Sequence, residues 1–303
     1  MRRSPRIPVL VIGALMGLLA WPALAAPFTV SDQTGRSLGL AGPPRRIVSL
    51  VPSVTETLFA IGAQAVLVGV TDFCDYPREA GRKPSVGGMV APSLETIVTL
   101  TPDLVVATTA GNREETFTQL DRLRIPVYLV NPTRLADVLD LIARLGALTG
   151  HEAEAARLAA SLGARIKAVS ERVTPLPRPR VLYVLWPEPL IVPARGTLVS
   201  ELLALAGADS VTADGGNGYP RYSLEAAVAG SPEVIILARH GGRPGPMAGD
   251  KWQRFAELPA VKSGRVYTVS GDLLHRYGPR VVDGLEQLAR LIHPEAFGKA
   301  GRP

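Results

Sequence analysis

One motif occurs twice, and its spacing divides the chain. Ser93-Leu94-Glu95-Thr96-Ile97-Val98 leads, after three residues, to Pro102-Asp103-Leu104-Val105-Val106. The second copy starts 130 positions later, where Ser223-Leu224-Glu225-Ala226-Ala227-Val228 leads, again after three residues, to Pro232-Glu233-Val234-Ile235-Ile236. The serine suits a helix N-cap, the glutamate complements the positive end of the helix, and the proline stops it before a β-branched run. Neighbouring pieces recur in the same order. Arg46-Ile47-Val48-Ser49-Leu50 and Arg180-Val181-Leu182-Tyr183-Val184 are short strand-like runs, and each precedes a helical stretch, Glu56 to Ala63 and Glu201 to Ala208, that ends at Gly62 or Gly207. Further strands, Pro126 to Val130 and Arg265 to Val269, follow the two units. Strands that alternate with helices imply parallel sheets.

Between the copies, Leu135 to Leu148 carries helical apolar spacing and stops at Thr149-Gly150. Ala153 to Val173 is rich in Ala, Leu, Glu and Arg and ends before Pro175, Pro177 and Pro179. About 22 residues at ~1.5 Å each would span ~33 Å, enough to pass from one lobe to the next. The expected fold is α/β, with two Rossmann-like lobes of mainly parallel sheet joined by a single long helix. The expected divisions are a signal peptide over 1–25, an N-terminal lobe over 26–150, a connecting helix over 151–174 and a C-terminal lobe over 175–303. A helical connector implies small hinge motions.

The first residues explain much of the charge. Arg2, Arg3 and Arg6 precede an apolar run from Ile7 to Ala20 and the small-x-small exit Ala23-Leu24-Ala25, the pattern of a cleaved secretory signal. The apolar run is shorter than the roughly 20 residues a bilayer span needs. Without those arginines the formal charge drops from +6 to +3, too little and too scattered to indicate nucleic acid. No Cys stands at the exit, which argues against a lipid anchor, so the expected location is the periplasm. Cys74 is the sole cysteine, so no internal disulfide can form and the cores must hold the fold.

Taken together, the signal, the duplicated lobes and the helical bridge resemble the periplasmic binding proteins of ABC importers for cobalamin, haem and iron-siderophores, over about residues 44–292. The likeness to the cobalamin branch rests on Ser49-Leu50-Val51-Pro52-Ser53-Val54-Thr55-Glu56, Asp75-Tyr76-Pro77, the two Ser-Leu-Glu segments and Gly111-Asn112. The resemblance implies an ABC permease dimer as partner, a corrinoid as transported ligand rather than cofactor, and Glu95 and Glu225 as docking residues that pair with permease arginines. Either glutamate also suits its helix terminus without any partner. A pocket is expected beyond the C-terminal ends of the strands. A corrinoid presents a flat apolar ring with amide arms, which aromatic faces and amide partners fit.

Tyr76 is the best candidate contact, and Asn112 belongs to a matching motif. Met89 stands where the family commonly has an aromatic residue, and Thr108 replaces a tryptophan. Trp186 and Tyr219 are further aromatic candidates, and His240, His275 and Tyr277 occupy expected loop positions near the cleft. Each could instead serve the core. Cys74 reads as a small buried residue more readily than as a metal ligand, and His151 and His293 as helix-end residues. No nucleophile elbow, phosphate loop or zinc-protease motif occurs, so an enzyme, for instance a periplasmic chelatase or hydrolase, is the weaker reading. Haem or iron-siderophore capture is the alternative ligand class, and a sensory domain without a permease is a third possibility.

Overall fold

A computed structural model describes residues 28–239 and 248–298. The expected signal peptide, and His240 among the candidate contacts, lie outside the described residues.

Strands β1 (Phe28–Ser31) and β2 (Ser37–Leu40) form an antiparallel hairpin. The first lobe then runs β3 (Ile47–Ser49), α1 (Pro52–Ala60), β4 (Leu67–Val70), α2 (Leu94–Thr99), β5 (Leu104–Thr108), α3 (Glu114–Arg122) and β6 (Val127–Val130). Two helices follow, α4 (Leu135–Thr149) and α5 (Glu152–Val173). The second lobe begins with β7 (Arg180–Val184), the small hairpin β8 (Trp186–Pro187) and β9 (Leu190–Ile191), and α6 (Leu198–Leu205). It continues through β10 (Asp209–Ser210), α7 (Leu224–Ala229), β11 (Val234–Arg239), α8 (Ala248–Gln253) and α9 (Pro259–Lys262). It ends with β12 (Val266–Ser270), α10 (Gly271–His275) and α11 (Val281–Ile292). Among the described residues no helix is long and apolar enough to cross a membrane.

The sequence repeat is also a repeat of topology. One sheet has the order β4-β3-β5-β6 and the other β10-β7-β11-β12, and every neighbouring pair in both is parallel. In each, the chain goes to one side of its first strand and then crosses to the other. That reversal leaves a crevice at the C-terminal ends of the central strands. The local caps also match. Ser93 Oγ accepts from the Thr96 N–H, and Ser223 Oγ accepts from the Ala226 N–H. α5 has 22 residues, the length expected of the connector.

Both faces of each sheet are covered, which is why the central strands read as apolar runs rather than alternating ones. All five residues of β5 are buried. Val48, Val105 and Leu129 face a core private to lobe one, and Leu182, Ile235 and Leu237 face one private to lobe two. The opposite faces share a single core: Ile47, Val106 and Tyr128 from one sheet and Val181, Tyr183 and Ile236 from the other pack with α1, α4, α5, α6 and α11. Arg165 on α5 bridges to Asp283 and Glu286 on α11 at 2.6 and 2.8 Å, which fixes the connecting helix to lobe two.

The sequence reading did not foresee two features. The β1–β2 turn is built on the buried Asp32, which accepts from the N–H groups of Thr34 and Arg36 and from the Leu129 N–H of β6, so the hairpin covers that sheet edge. The β8–β9 hairpin is inserted between β7 and α6 and has no counterpart in lobe one.

Candidate functional site

The loop after β4 and the α10–α11 corner bring the lobes together. Arg276 of the corner donates to Asp75 through Nη1 at 2.5 Å and through Nη2 at 3.3 Å, and to Asp272 through Nε at 3.2 Å. Arg280, four residues further on, places its guanidinium carbon 3.8 Å from the centre of the Tyr76 ring. Glu56 of α1 joins both arginines, accepting from Arg280 at 2.5 and 2.8 Å and from Arg276 at 3.5 Å. Three carboxylates therefore surround two guanidinium groups, and one aromatic ring is stacked on that of Arg280. Tyr76 remains 47% exposed.

Electrostatics follow the geometry. The Arg276 hydrogen bond holds the Asp75 carboxyl below its ordinary value of 3.8. Burial alone would lower Arg276, but its bonds to Asp75 and the neighbouring acids raise it. Burial likewise opposes the charge on Arg280, and the Glu56 hydrogen bond overcomes it. A carboxylate depressed in the fold adds stability above its unfolded value, and that stability is lost as pH falls through the folded value. The Asp75–Arg276 bridge, flanked by Glu56, Asp272 and Arg280, should thus persist through pH 5–7 and weaken progressively below 3.8. Comparing urea midpoints of wild type and Asp75→Asn at stepped pH checks this. Their difference should shrink on acidification, and it should be modest throughout because the Asp75 side chain is 64% exposed.

The second lobe contributes tyrosines. The phenols of Tyr219 and Tyr277 hydrogen-bond at 2.8 Å. Burial pushes both phenols up, so both stay neutral at physiological pH. Tyr277 has a φ of 54°, a backbone conformation that side-chain-bearing residues adopt at a cost. His275 turns from the loop position expected for it toward lobe two, where Nε2 lies 3.0 Å from the buried Tyr183 hydroxyl and the two rings meet edge to face. Trp186 stands on β8, 49% exposed, with Nε1 donating to the Glu188 carbonyl.

In lobe one, Asn112 is buried and its amide is engaged at both ends. Oδ1 accepts from the Thr108 N–H at 2.7 Å, and Nδ2 donates to the Met89 carbonyl at 2.6 Å. The half-buried Met89 also packs on Gly111, where a Cβ would stand 2.4 Å from its Cε. These contacts staple the Met89 loop to the end of β5, and Thr108 is buried beneath them. Cys74 is buried against the hydroxyls of Thr55 and Thr71, and burial pushes its thiol up, away from the thiolate a metal would need. Among the described residues no group of three or more His, Cys, Asp or Glu side chains is gathered to hold a metal ion. His151 and His293 stand at helix ends, before α5 and after α11 respectively.

Glu95 and Glu225 are both exposed in the first turns of α2 and α7. The backbone N–H of Glu225 and the Ser223 hydroxyl hold its carboxyl down. A groove of about 550 Å³ lies among α3, β6 and Arg36; Asn112 lines it, and none of the candidate aromatic contacts does.

Residue-level reasoning missed Glu56 as a site residue, and missed Arg276 and Arg280 altogether. The available signals were a lone acid on an apolar helix and two arginines four apart around Gly278-Pro279.

Comparison with known proteins places these features in context. Residues 47–273 match the family described as periplasmic binding protein. An uncharacterized ABC transporter substrate-binding lipoprotein of Bacillus subtilis (strain 168) is 31% identical over 278 residues, covering 89% of this chain and 87% of its own length. The crystal structure of the periplasmic vitamin B12 binding protein BtuF of Vibrio cholerae superposes with a TM-score of 0.73 at 29% identity, over 85% of this chain and 99% of that one. The periplasmic haem-binding protein RhuT of Roseiflexus sp. RS-1 superposes with a TM-score of 0.72 at 27% identity, over 83% of this chain and 99% of that one.

Proposed function

The chain belongs to the periplasmic binding protein family, and we propose that within it the ligand is cobalamin or a related corrinoid, held between the lobes. Its coarser role is that of a substrate-binding component of an ABC importer in the cobalamin, haem and siderophore group, and it is a binding protein rather than an enzyme.

The observation that carries the corrinoid reading is the charge state of the cleft. Among the described residues its two arginines are matched by Glu56, Asp75 and Asp272, and its phenols are neutral. Such a surface offers hydrogen bonds to uncharged amide arms and an apolar ring face to a corrin. It offers little to the two carboxylates of haem, which call for unpaired cations. In this reading Tyr76 stacks on the ring, Tyr219, Tyr277 and Trp186 supply the opposite wall, and the Asn112 staple holds Met89 beside it. Glu95 and Glu225 face the permease dimer, one from each lobe. Haem capture is the second reading, supported by the likeness to a haem-binding protein and by the phenols, which are able to ligate ferric iron.

Titration of the purified protein with cyanocobalamin, cobinamide and haemin, followed by absorption, separates these readings. The expected result is a 1:1 corrinoid complex. Haemin binding without corrinoid binding would overturn the corrinoid assignment and leave the importer role standing. In the same assay Tyr76→Ala should weaken corrinoid binding about 10–100-fold, the usual consequence of truncating a central aromatic contact.

A further inference from the structure

Glu56 is 4% exposed and lies on a helix whose other buried residues are uncharged. Burying a carboxylate there is unfavourable unless it is paired, and an apolar side chain of similar size would serve stability at least as well. Both of its partners come from the other lobe, with Arg280 lying 224 positions away in sequence. Arg280 turns back to cover one face of Tyr76, which belongs to the same lobe as Glu56. The path thus runs from lobe one to lobe two and returns to lobe one at a ring that faces the cleft. Gly278 allows this closeness, since a Cβ there would stand 3.3 Å from Ser53 Cα and 3.5 Å from Glu56 Oε2.

We propose that Glu56 is a positioning residue for the cleft: through Arg280 it sets both the separation of the lobes at this end and the pose of the Tyr76 ring. The second half of the proposal rests on the cleft being the ligand site, and the first half does not. When the Glu56 charge is removed, Arg280 loses its ion pair and one of its two hydrogen bonds, leaves the Tyr76 face and becomes an unpaired cation in the cleft. The aromatic wall loosens, and the cleft turns from a neutral-ligand surface into one that favours anions.

Two measurements test this on the full mature chain. The first needs no ligand. Spin labels on cysteines replacing the exposed Arg122 of lobe one and Ala256 of lobe two report lobe separation. Glu56→Gln should broaden or shift the distance distribution, and an unchanged distribution overturns the proposal. The second is a double-mutant cycle in cyanocobalamin affinity. Glu56→Gln should weaken binding about tenfold, the scale of losing a desolvated cation–π support, and should add nothing when Tyr76 is already alanine. Additive losses overturn the link to Tyr76, because a merely structural role for Glu56 would leave the two substitutions independent. Should Glu56→Gln fail to fold, the neutral pair Glu56→Gln with Arg280→Met replaces it in both arms, with the same expected and overturning results. If wild type binds neither cyanocobalamin nor haemin, the ligand reading falls, and the distance arm still decides whether Glu56 sets the lobe separation.

Discussion

Reversing both Glu95 and Glu225 to lysine should reduce ligand uptake by cells to background while leaving ligand affinity and thermal stability unchanged. Both side chains are exposed, and neither pairs with another charge among the described residues, so the fold loses almost nothing. The hydroxyl of Ser223 loses an acceptor when Glu225 is replaced, but its contact with the Ala226 N–H still caps the helix. Against permease arginines the reversed charges repel, and like charges across an interface cost several kcal/mol and slow encounter by one or more orders of magnitude. Each single reversal should cost a comparable part of the uptake, because the two sites are repeat-related and, in the proposed docking, meet equivalent subunits. Full uptake by the double variant, measured with labelled ligand in cells lacking the wild-type protein, would refute the docking role. Normal uptake in one single variant and none in the other would refute the two-fold arrangement.

The second large effect concerns stability, and the repeat supplies its own control. Gly62 and Gly207 end the equivalent helices α1 and α6 with φ of 80° and 79°. Nothing lies within 4 Å of a Cβ built on Gly62. At Gly207 a Cβ would stand 2.7 Å from His293 Nε2 and 3.1 Å from Val173 Cβ. This is where the ends of α5, α6 and α11 meet, and the His293 ring contacts the Gly207 carbonyl at 3.1 Å. Gly62→Ala should therefore cost only the backbone strain, about 1–2 kcal/mol. Gly207→Ala should cost that plus about 1–3 kcal/mol for overpacking. Measured as urea unfolding with unchanged slope, Gly207→Ala should have the clearly lower midpoint. Equal losses would mean that the three helix ends yield freely.

The pattern of what was legible in the sequence follows from the range of the forces involved. The Ser-Leu-Glu units, the glycines closing α1 and α6 and the 22-residue connector depend on interactions within a few positions, and they could be read from composition and spacing. The matching order of the pieces along the chain was legible as well, whereas the strand order within each sheet, set by pairing between distant segments, was not. The hairpin over 28–40 was hidden because its four-residue strands give too short an alternation to separate from a loop. The ionic knot was hidden for a different reason. A carboxylate and a guanidinium that meet across 224 positions leave no period, and the one local sign, a lone acid on an apolar helix, does not name its partner. His275 shows the opposite failure. A strand-end position suggested the cleft, but the buried Tyr183 hydroxyl attracted the imidazole into lobe two.

The core shared by the two lobes bears on how an importer could tell a loaded carrier from an empty one. Hinged carriers that snap shut change outline on loading, and a receptor can sense that outline. Here side chains from both sheets interlock through α1, α4, α5, α6 and α11, so a wide swing would have to tear apart close-packed hydrocarbon. Full and empty forms should then offer nearly the same silhouette. Such a carrier would compete with its own loaded form for the permease, and its abundance relative to cargo would set the throughput of import.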